Sequence, residues 1–392
     1  MTKSTFSDLG LAGPIQRALN TRNHLHPTPI QARAIPKLLT GRDVLGIAQT
    51  GTGKTAAFAL PILHRLFKNQ RKNQGGRNGP RSPRALILAP TRELAIQIGE
   101  EFKAYSKHLK LHHTVIYGGV SQNPQVSKLA RGVDILIATP GRLLDLMNQR
   151  RLVLNRVDIL VLDEADRMLD MGFVRDVRKI IAAVPKQRQS LLFSATMPDE
   201  IARLSKEILT NPVRIEVAPQ ATPIERIQQS VHHVPVADKR NLLSDILADP
   251  DYARVMVFTR TKHRANRVAD HLAKCGIEAD AIHGNKSQGA RQRALKRFKE
   301  GKARVLVATD IAARGIDVDS VSHVINFELP NEPESYVHRI GRTARAGASG
   351  AAVSFCSPEE RAYLRDIEKL IQCRLTVMGD EPADAANDGK AP

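Results

Sequence analysis

Short runs of apolar residues recur at positions 44–48, 85–89, 134–138, 158–162 and 191–194, and each gap between them is long enough to hold a helix. Runs that stay apolar, rather than alternating with polar residues, suit strands covered on both faces. A helix between successive strands carries the chain back so that they run parallel. A second series follows at 254–259, 304–308, 323–327 and 351–356, with helical stretches such as 264–274 and 290–300 between its members. Two α/β domains are expected, each a mainly parallel sheet with helices on both faces.

The two series meet near residues 218–223, where Ala-Pro-Gln-Ala-Thr-Pro breaks both patterns and each proline disfavours helix at the residue before it. This stretch reads as a hinge. It divides the chain into an N-terminal domain (1–218), a linker (219–224), a C-terminal domain (225–378) and a tail (379–392) whose composition is that of a disordered segment. With 392 residues and 42% hydrophobic content the chain can bury cores of that size, which excludes a disordered or fibrous class. Residues 68–84 carry six basic side chains and no acidic one, and read as a surface loop between a helix and the next strand.

The balance of 59 Lys and Arg against 40 Asp and Glu leaves a formal charge of +19, which favours an anionic partner, nucleic acid first. No apolar run approaches the length of a membrane span and no secretory leader is evident, so a soluble, cytoplasmic protein is expected. Cys275, Cys356 and Cys373 are too far apart in sequence to form a zinc or redox pair. The pairs His112-His113 and His232-His233 would point to opposite faces of a strand, which suits packing better than a shared metal.

Ala48-Gln49-Thr50-Gly51-Thr52-Gly53-Lys54-Thr55 fits a phosphate-binding loop, preceded by a strand and followed by a helix expected over 55–68. Gly51 and Gly53 let backbone N–H groups turn onto phosphate, Lys54 reaches the β and γ oxygens, and the Thr55 hydroxyl can ligate Mg²⁺. A second element stands where phosphate chemistry needs one, with Asp163-Glu164-Ala165-Asp166 closing the strand at 158–162. Carboxylates at the C-terminal edge of a parallel sheet lie where such folds bind ligands. Asp163 is placed to hold Mg²⁺ through its water shell, and Glu164 to orient and deprotonate an attacking water.

With these residues the sequence resembles the DEAD-box family of ATP-dependent RNA helicases, from about residue 6 to residue 347. The resemblance implies two tandem RecA-like domains. Pro27-Thr28-Pro29-Ile30-Gln31 is similar to the adenine-reading motif of that family. Gln31 would then meet the adenine edge with its paired donor and acceptor, Phe6 would support the pocket, and ATP would be chosen over GTP. Where the family usually has Gly and an aromatic residue before this motif, the chain has Asn23 and His24, and His24 is expected to stack on the adenine. Ser194-Ala195-Thr196 resembles the motif that links hydrolysis to strand separation, its hydroxyls bonding the acidic tetrad, Asp166 included.

In the second domain the run from Tyr336 to Arg345 resembles the family's arginine-finger motif. By that resemblance Arg342 and Arg345 reach the γ-phosphate across a cleft, His338 contacts the first domain's catalytic motifs, and Arg339 is structural. Ala344 stands where the family usually has Gly. With no phosphate loop in the second domain, one composite ATP site is implied, and Asp317 is expected on the ATP ribose. Further motifs match the family's RNA-contacting set: Pro90, Thr91 and Arg92; Gly118 and Gly119; Thr139, Pro140, Gly141 and Arg142; Arg260; Gln288 and Arg291; and Thr309.

Aromatic residues make up only 4% of the chain and Trp is absent, so a base-stacking platform is not expected, and recognition should rest on phosphate and sugar. The preference for RNA over DNA comes from the resemblance. The expected activity is RNA-stimulated ATP hydrolysis coupled to local, sequence-independent separation of RNA strands. An ATP-gated RNA clamp or annealing chaperone is the alternative, and Glu164 with both finger arginines argues against it. A bacterial, monomeric motor is expected, with ribosomal or RNA-decay proteins as candidate partners.

Overall fold

The structure is a computed structural model that describes residues 5–49, 51–72, 82–217, 227–313, 321–344 and 350–379. The chain forms two compact units, Met1–Pro219 and Gln220–Pro392. The first holds strands β1 (Val44–Ile47), β2 (Ala85–Leu88), β3 (His113–Ile116), β4 (Ile135–Ala138), β5 (Ile159–Leu162), β6 (Gln189–Ser194) and β7 (Val213–Glu216). The second holds β8 (Ile227–His233), β9 (Val255–Thr259), β10 (Ala279–Ile282), β11 (Val305–Thr309), β12 (His323–Asn326), β13 (Gly350–Cys356) and β14 (Thr376–Val377). Each set makes one seven-stranded sheet, ordered β3-β4-β2-β5-β6-β1-β7 and β10-β11-β9-β12-β13-β8-β14, and every named pairing is parallel.

The period of two along a strand divides each unit into two cores. In the first, Ala85 and Ile87 of β2, Ile135 and Ile137 of β4, and Ile159 and Val161 of β5 share one face. Leu86, Leu88, Leu136, Leu160 and Leu162 share the other. In the second, Val255 and Val257 lie in one cluster and Met256 and Phe258 in the opposite one. Helices cover both faces, which is the double-sided α/β arrangement expected from the sequence.

The strands read from the sequence are all present, with ends moved by one or two residues. Five strands escaped the apolar criterion: β3, β7, β8, β10 and β14. Four of them lie at sheet edges. The fifth, β8, is next to the edge and reads Ile-Gln-Gln-Ser-Val-His-His, with only Ile227 and Val231 buried. The helix after the phosphate loop runs Lys54–Lys72, so the start of the expected basic loop is helical. Its continuation over 73–81, the hinge at 219–224 and the tail from 380 onward lie outside the described residues.

Two non-glycine residues with positive φ stand where the resemblance expects glycine: Asn23 at 56° and Ala344 at 54°. Asn tolerates this left-handed region because its short polar side chain bonds locally, and at Asn23 it ends the helix Gly13–Thr21. Ala has no such relief. Replacing Ala344 with Gly is expected to stabilise the second unit by roughly 0.5–1 kcal/mol, read as a higher urea midpoint at unchanged slope.

Candidate active site and nucleic-acid interface

The residues expected to handle ATP gather at the C-terminal ends of β1, β5 and β6, neighbours in the first sheet. Lys54 is buried and donates from Nζ to the Ala48 carbonyl at 2.8 Å, while the Thr52 hydroxyl donates to the Gln49 carbonyl at 2.8 Å. Gly51 and Gly53 both have positive φ, at 81° and 89°. A Cβ on Gly53 would lie 2.3 Å from Gln31 Nε2, so only glycine fits there.

Gln31 is itself buried and joins two motifs. Its Nε2 donates to the Gly53 carbonyl at 3.0 Å, and its Oε1 accepts from the Thr28 N–H at 2.9 Å, closing the start of the helix Pro29–Leu39. A primary amide has two N–H groups and two lone pairs, so one of each remains for an adenine edge. Phe6 is buried in the adjoining core. His24 lies beside Tyr105, ring centroids 6.3 Å apart, near the Arg22 guanidinium that pairs with Glu101 through two 2.8 Å bonds. Burial and then the Arg22 charge hold its imidazole below the ordinary histidine range. Half-buried Thr55 is the second residue of the helix Lys54–Lys72.

The acidic tetrad opens the helix Ala165–Asp170. Asp163 is 2% exposed and its Oδ1 accepts from the Glu164 N–H at 3.0 Å. Burial, opposed by the Lys54 charge and reinforced by Glu164, pushes its carboxyl up to about 6. Glu164 occupies the left-handed region at φ 52°, a strained setting for a residue with a Cβ, and its Oε2 accepts from Arg167 Nη1 at 2.6 Å. Asp166 Oδ2 accepts from the Ala195 N–H at 3.1 Å, the Thr196 N–H at 2.9 Å and the Thr196 hydroxyl at 3.1 Å. The Ser194 hydroxyl departs from expectation. It bonds no carboxylate but accepts from the Asp166 backbone N–H at 3.2 Å, because Ser194 ends β6 beside the first turn of that helix.

The expected RNA-contacting residues of the first unit lie at the ends of β2, β3 and β4, the other half of the same sheet edge. Pro90 precedes Thr91, whose hydroxyl oxygen caps the helix Arg92–Tyr105 by accepting from Leu94 N–H at 3.2 Å. Arg92 lies over the Gly118-Gly119 turn so closely that a Cβ on Gly119 would fall 2.1 Å from its Nη1. Thr139 and Pro140 start the helix Pro140–Asn148 with Gly141 exposed behind them, and Arg142 donates to the Val120 carbonyl at 3.0 Å. The three motifs are therefore neighbours in space.

The second unit divides in the same way. Arg260 follows β9, Gln288 and Arg291 open the helix Gln288–Lys299 after β10, and Thr309 ends β11. Beyond them, the helix Pro333–Ile340 after β12 carries His338 and Arg339. Arg339 is 1% exposed and forks onto Asp310 at 2.6 and 2.7 Å, with the Glu328 carbonyl at 2.6 Å and the Phe258 ring beneath, a structural position. Arg342 donates from Nε to the His338 carbonyl at 3.4 Å and lines a small cavity with Ser335, His338 and Asp310. Thr50, Asp317 and Arg345 lie outside the described residues.

Residues 28–204 match the DEAD/DEAH box helicase family and residues 238–347 the helicase conserved C-terminal domain. The DEAD-box ATP-dependent RNA helicase CshA of Bacillus cereus is 42% identical over 387 residues, covering 99% of this chain and 72% of the relative. The chain belongs to the DEAD-box ATP-dependent RNA helicase family. The ATP-dependent RNA helicase CshA of Listeria monocytogenes is 43% identical over 392 residues, 100% of this chain and 73% of that one. Among solved structures, Dbp5 of S. cerevisiae bound to RNA and ADP BeF3 aligns with a TM-score of 0.81 at 33% identity, covering 96% of each chain. Mss116p bound to ssRNA and AMP-PNP aligns at 0.83 and 30% identity, covering 97% of this chain and 80% of the other. The two sheets of the helicase are thus the tandem RecA-like pair.

Sequence reading passed over Arg167, which holds the Glu164 carboxylate. Its signal was present, since an Arg three residues after a Glu on a helix faces it. The tie from Gln31 to Gly53 had no local signal.

Among the described residues no helix of this helicase is long and apolar enough to cross a membrane, and no cluster of His, Cys, Asp or Glu forms a metal site of the usual kind. The Asp163 carboxyl has a stability consequence. Its folded value, about 6, lies above the ordinary one, so folding favours the protonated form. The stabilisation is complete below about pH 4 and is lost as pH rises through about 6. Asp163→Asn is expected to stabilise the metal-free protein most above about pH 6, by part of that near pH 5 and by little below about pH 4, read as a melting-temperature difference that widens with pH in EDTA.

Proposed function

We propose that this helicase couples RNA-stimulated ATP hydrolysis to local, sequence-independent separation of RNA strands or remodelling of RNA–protein complexes. One observation carries the reading: each sheet edge is divided, with expected nucleotide residues at one set of strand ends and expected backbone-gripping residues at the other. In the first unit β5-β6-β1 takes the former and β3-β4-β2 the latter. A single rigid sheet then joins the two ligands, so nucleotide state and RNA grip can bias one another.

In this reading Gln31 meets the adenine, the loop from Ala48 to Gly53 cradles the phosphates, and Lys54 neutralises their charge. Asp163, with Thr55, would hold Mg²⁺; the residues fit, since a buried carboxylate driven toward protonation gains most from a nearby cation. When bound, the cation supplies charge neutralisation at the transferring phosphoryl group. Glu164 takes a proton from the attacking water as the water oxygen bonds the γ-phosphorus and the bond to the β-phosphate oxygen breaks, giving ADP and phosphate. Arg342 and Arg345 of the second unit stabilise the negative charge of that transition state, and Asp317 holds the ribose. Asp166, tied to Thr196 and Ser194, passes the state of the acidic tetrad to the helix Asp199–Ile208 that follows.

RNA is held through its backbone. Thr91, an acceptor to its own helix, keeps an O–H to donate to phosphate, and Arg92, Arg142, Arg260 and Arg291 supply charge. ATP and RNA together close the two units, and closure bends one strand away from its partner. The relatives Dbp5 and Mss116p, bound to RNA with nucleotide analogues, support this reading. We place the protein in the cytoplasm as a monomer.

The test is displacement of a labelled strand from a short RNA duplex, with ATP and with a non-hydrolysable analogue. Displacement in ATP that exceeds that in the analogue under multiple-turnover conditions is expected. Tight RNA retention without displacement would favour an ATP-gated clamp.

A further inference from the structure

The two sheets share one strand order, so each strand of the first unit has a counterpart in the second: β1 matches β8, β2 matches β9, β5 matches β12 and β6 matches β13. Lys54 is the first residue of the helix after β1, and Lys239 is the first residue of the helix after β8. Lys239 stands where a phosphate-loop lysine would and, like Lys54, is buried, with 2% exposed.

What meets it is an anion from the chain itself. Lys239 Nζ donates to Glu360 Oε2, and to the Phe327 and Phe355 carbonyls at 3.0 Å each. The same carboxylate oxygen accepts the Ser357 N–H and hydroxyl, both at 3.1 Å. Lysine ammonium, backbone N–H and side-chain hydroxyl are the donor set that a phosphate loop presents to phosphate. The other Glu360 oxygen lies 3.2 Å from Arg260 Nη2. Glu328, which follows β12 as the acidic tetrad follows β5, accepts the Arg260 N–H at 2.9 Å and pairs with Arg264 at 3.5 Å. Arg260 is thus tied at its backbone N–H to Glu328, while its guanidinium pairs with the buried Glu360 and Glu328 carboxylates at 3.2 and 3.7 Å, donates to Asn331 Oδ1 at 3.1 Å and lies over the Tyr363 ring, with a third of its side chain exposed.

We infer that the second unit's counterpart of the phosphate site is filled from within by Glu360 on Lys239, and that Glu360 with Glu328 positions Arg260 for the RNA backbone. The positioning half rests on the RNA contact assigned to Arg260 above. With one oxygen tied to Lys239 and Ser357, the Glu360 carboxylate is held in place, and its other oxygen biases the Arg260 guanidinium toward one orientation through the motor cycle.

The test is titration of ATP hydrolysis with single-stranded RNA in wild type, Arg260→Ala, Glu360→Gln and the double variant. Glu360→Gln is expected to raise half-saturating RNA about tenfold, with maximal turnover within about twofold of wild type. The double variant is expected to match Arg260→Ala, since Glu360 acts through Arg260. Effects that multiply in the double variant, or a loss confined to maximal turnover, overturn the positioning role.

The internal anion is read without RNA, from melting temperatures in sodium formate against sodium chloride at equal ionic strength. Recovery of Glu360→Ala in formate, absent from Lys239→Met/Glu360→Ala, is expected; an equal response in both overturns that half. Wild-type half-saturation in Arg260→Ala would remove the RNA contact itself and the positioning role with it, and the formate result would show whether the internal anion stands.

Discussion

Glu164→Gln is expected to lower RNA-stimulated ATP turnover about a thousandfold while leaving ATP and RNA affinity within a few-fold of wild type, the signature of a lost general base. The amide keeps the carboxylate's shape and one oxygen to accept from Arg167, whose 2.6 Å bond orients the group. What it loses is the ability to take a proton. The left-handed backbone at Glu164 belongs to the strand-to-helix turn and is unchanged by the substitution, so the protein should melt close to wild type. Single-turnover hydrolysis at saturating ATP and RNA is the measurement, with ATP affinity from equilibrium binding as the control. A loss shared equally between turnover and ATP affinity would assign Glu164 to nucleotide binding instead.

Arg342→Ala is expected to cut maximal turnover by about three orders of magnitude, because an arginine on a transferring phosphoryl group acts mainly in the transition state. Arg342→Lys should recover only a small part, since an ammonium cannot reproduce the planar two-pronged contact. Arg339, three residues earlier, supplies the contrast. Its guanidinium is buried on Asp310 and the Glu328 carbonyl, so Arg339→Ala leaves a carboxylate without its partner. That variant is expected to lose about 3–5 kcal/mol of stability, seen as a fall in the urea midpoint. Two arginines on one turn thus separate by assay, one by rate and one by stability.

The sequence disclosed this architecture where physics is local. Apolar runs such as Leu86-Ile87-Leu88 must be covered on both faces, so the central strands were legible one by one. Edge strands are covered less completely and relax that demand, and β8, next to the edge, has two glutamines and a serine between its two buried residues, so it shows no apolar run. The phosphate loop and the acidic tetrad were legible because a few spaced residue types carry a specific chemistry. Contacts that set those residues in place are distant in sequence. Gln31 reaches Gly53 across 22 residues and Lys239 reaches Glu360 across 121, and no periodicity records either. The positive φ at Asn23 and Ala344 gives a physical meaning to the two departures from the family pattern: one is a tolerated substitute for glycine, the other a strained one.

The central claim, an RNA-dependent motor, is tested most directly by steady-state ATP hydrolysis without nucleic acid, with generic single-stranded RNA and with DNA of matched sequence, in wild type and Glu164→Gln. Strong stimulation by RNA alone, abolished in Glu164→Gln, is the expected result. Turnover that DNA stimulates equally, or that RNA leaves unchanged, would contradict it.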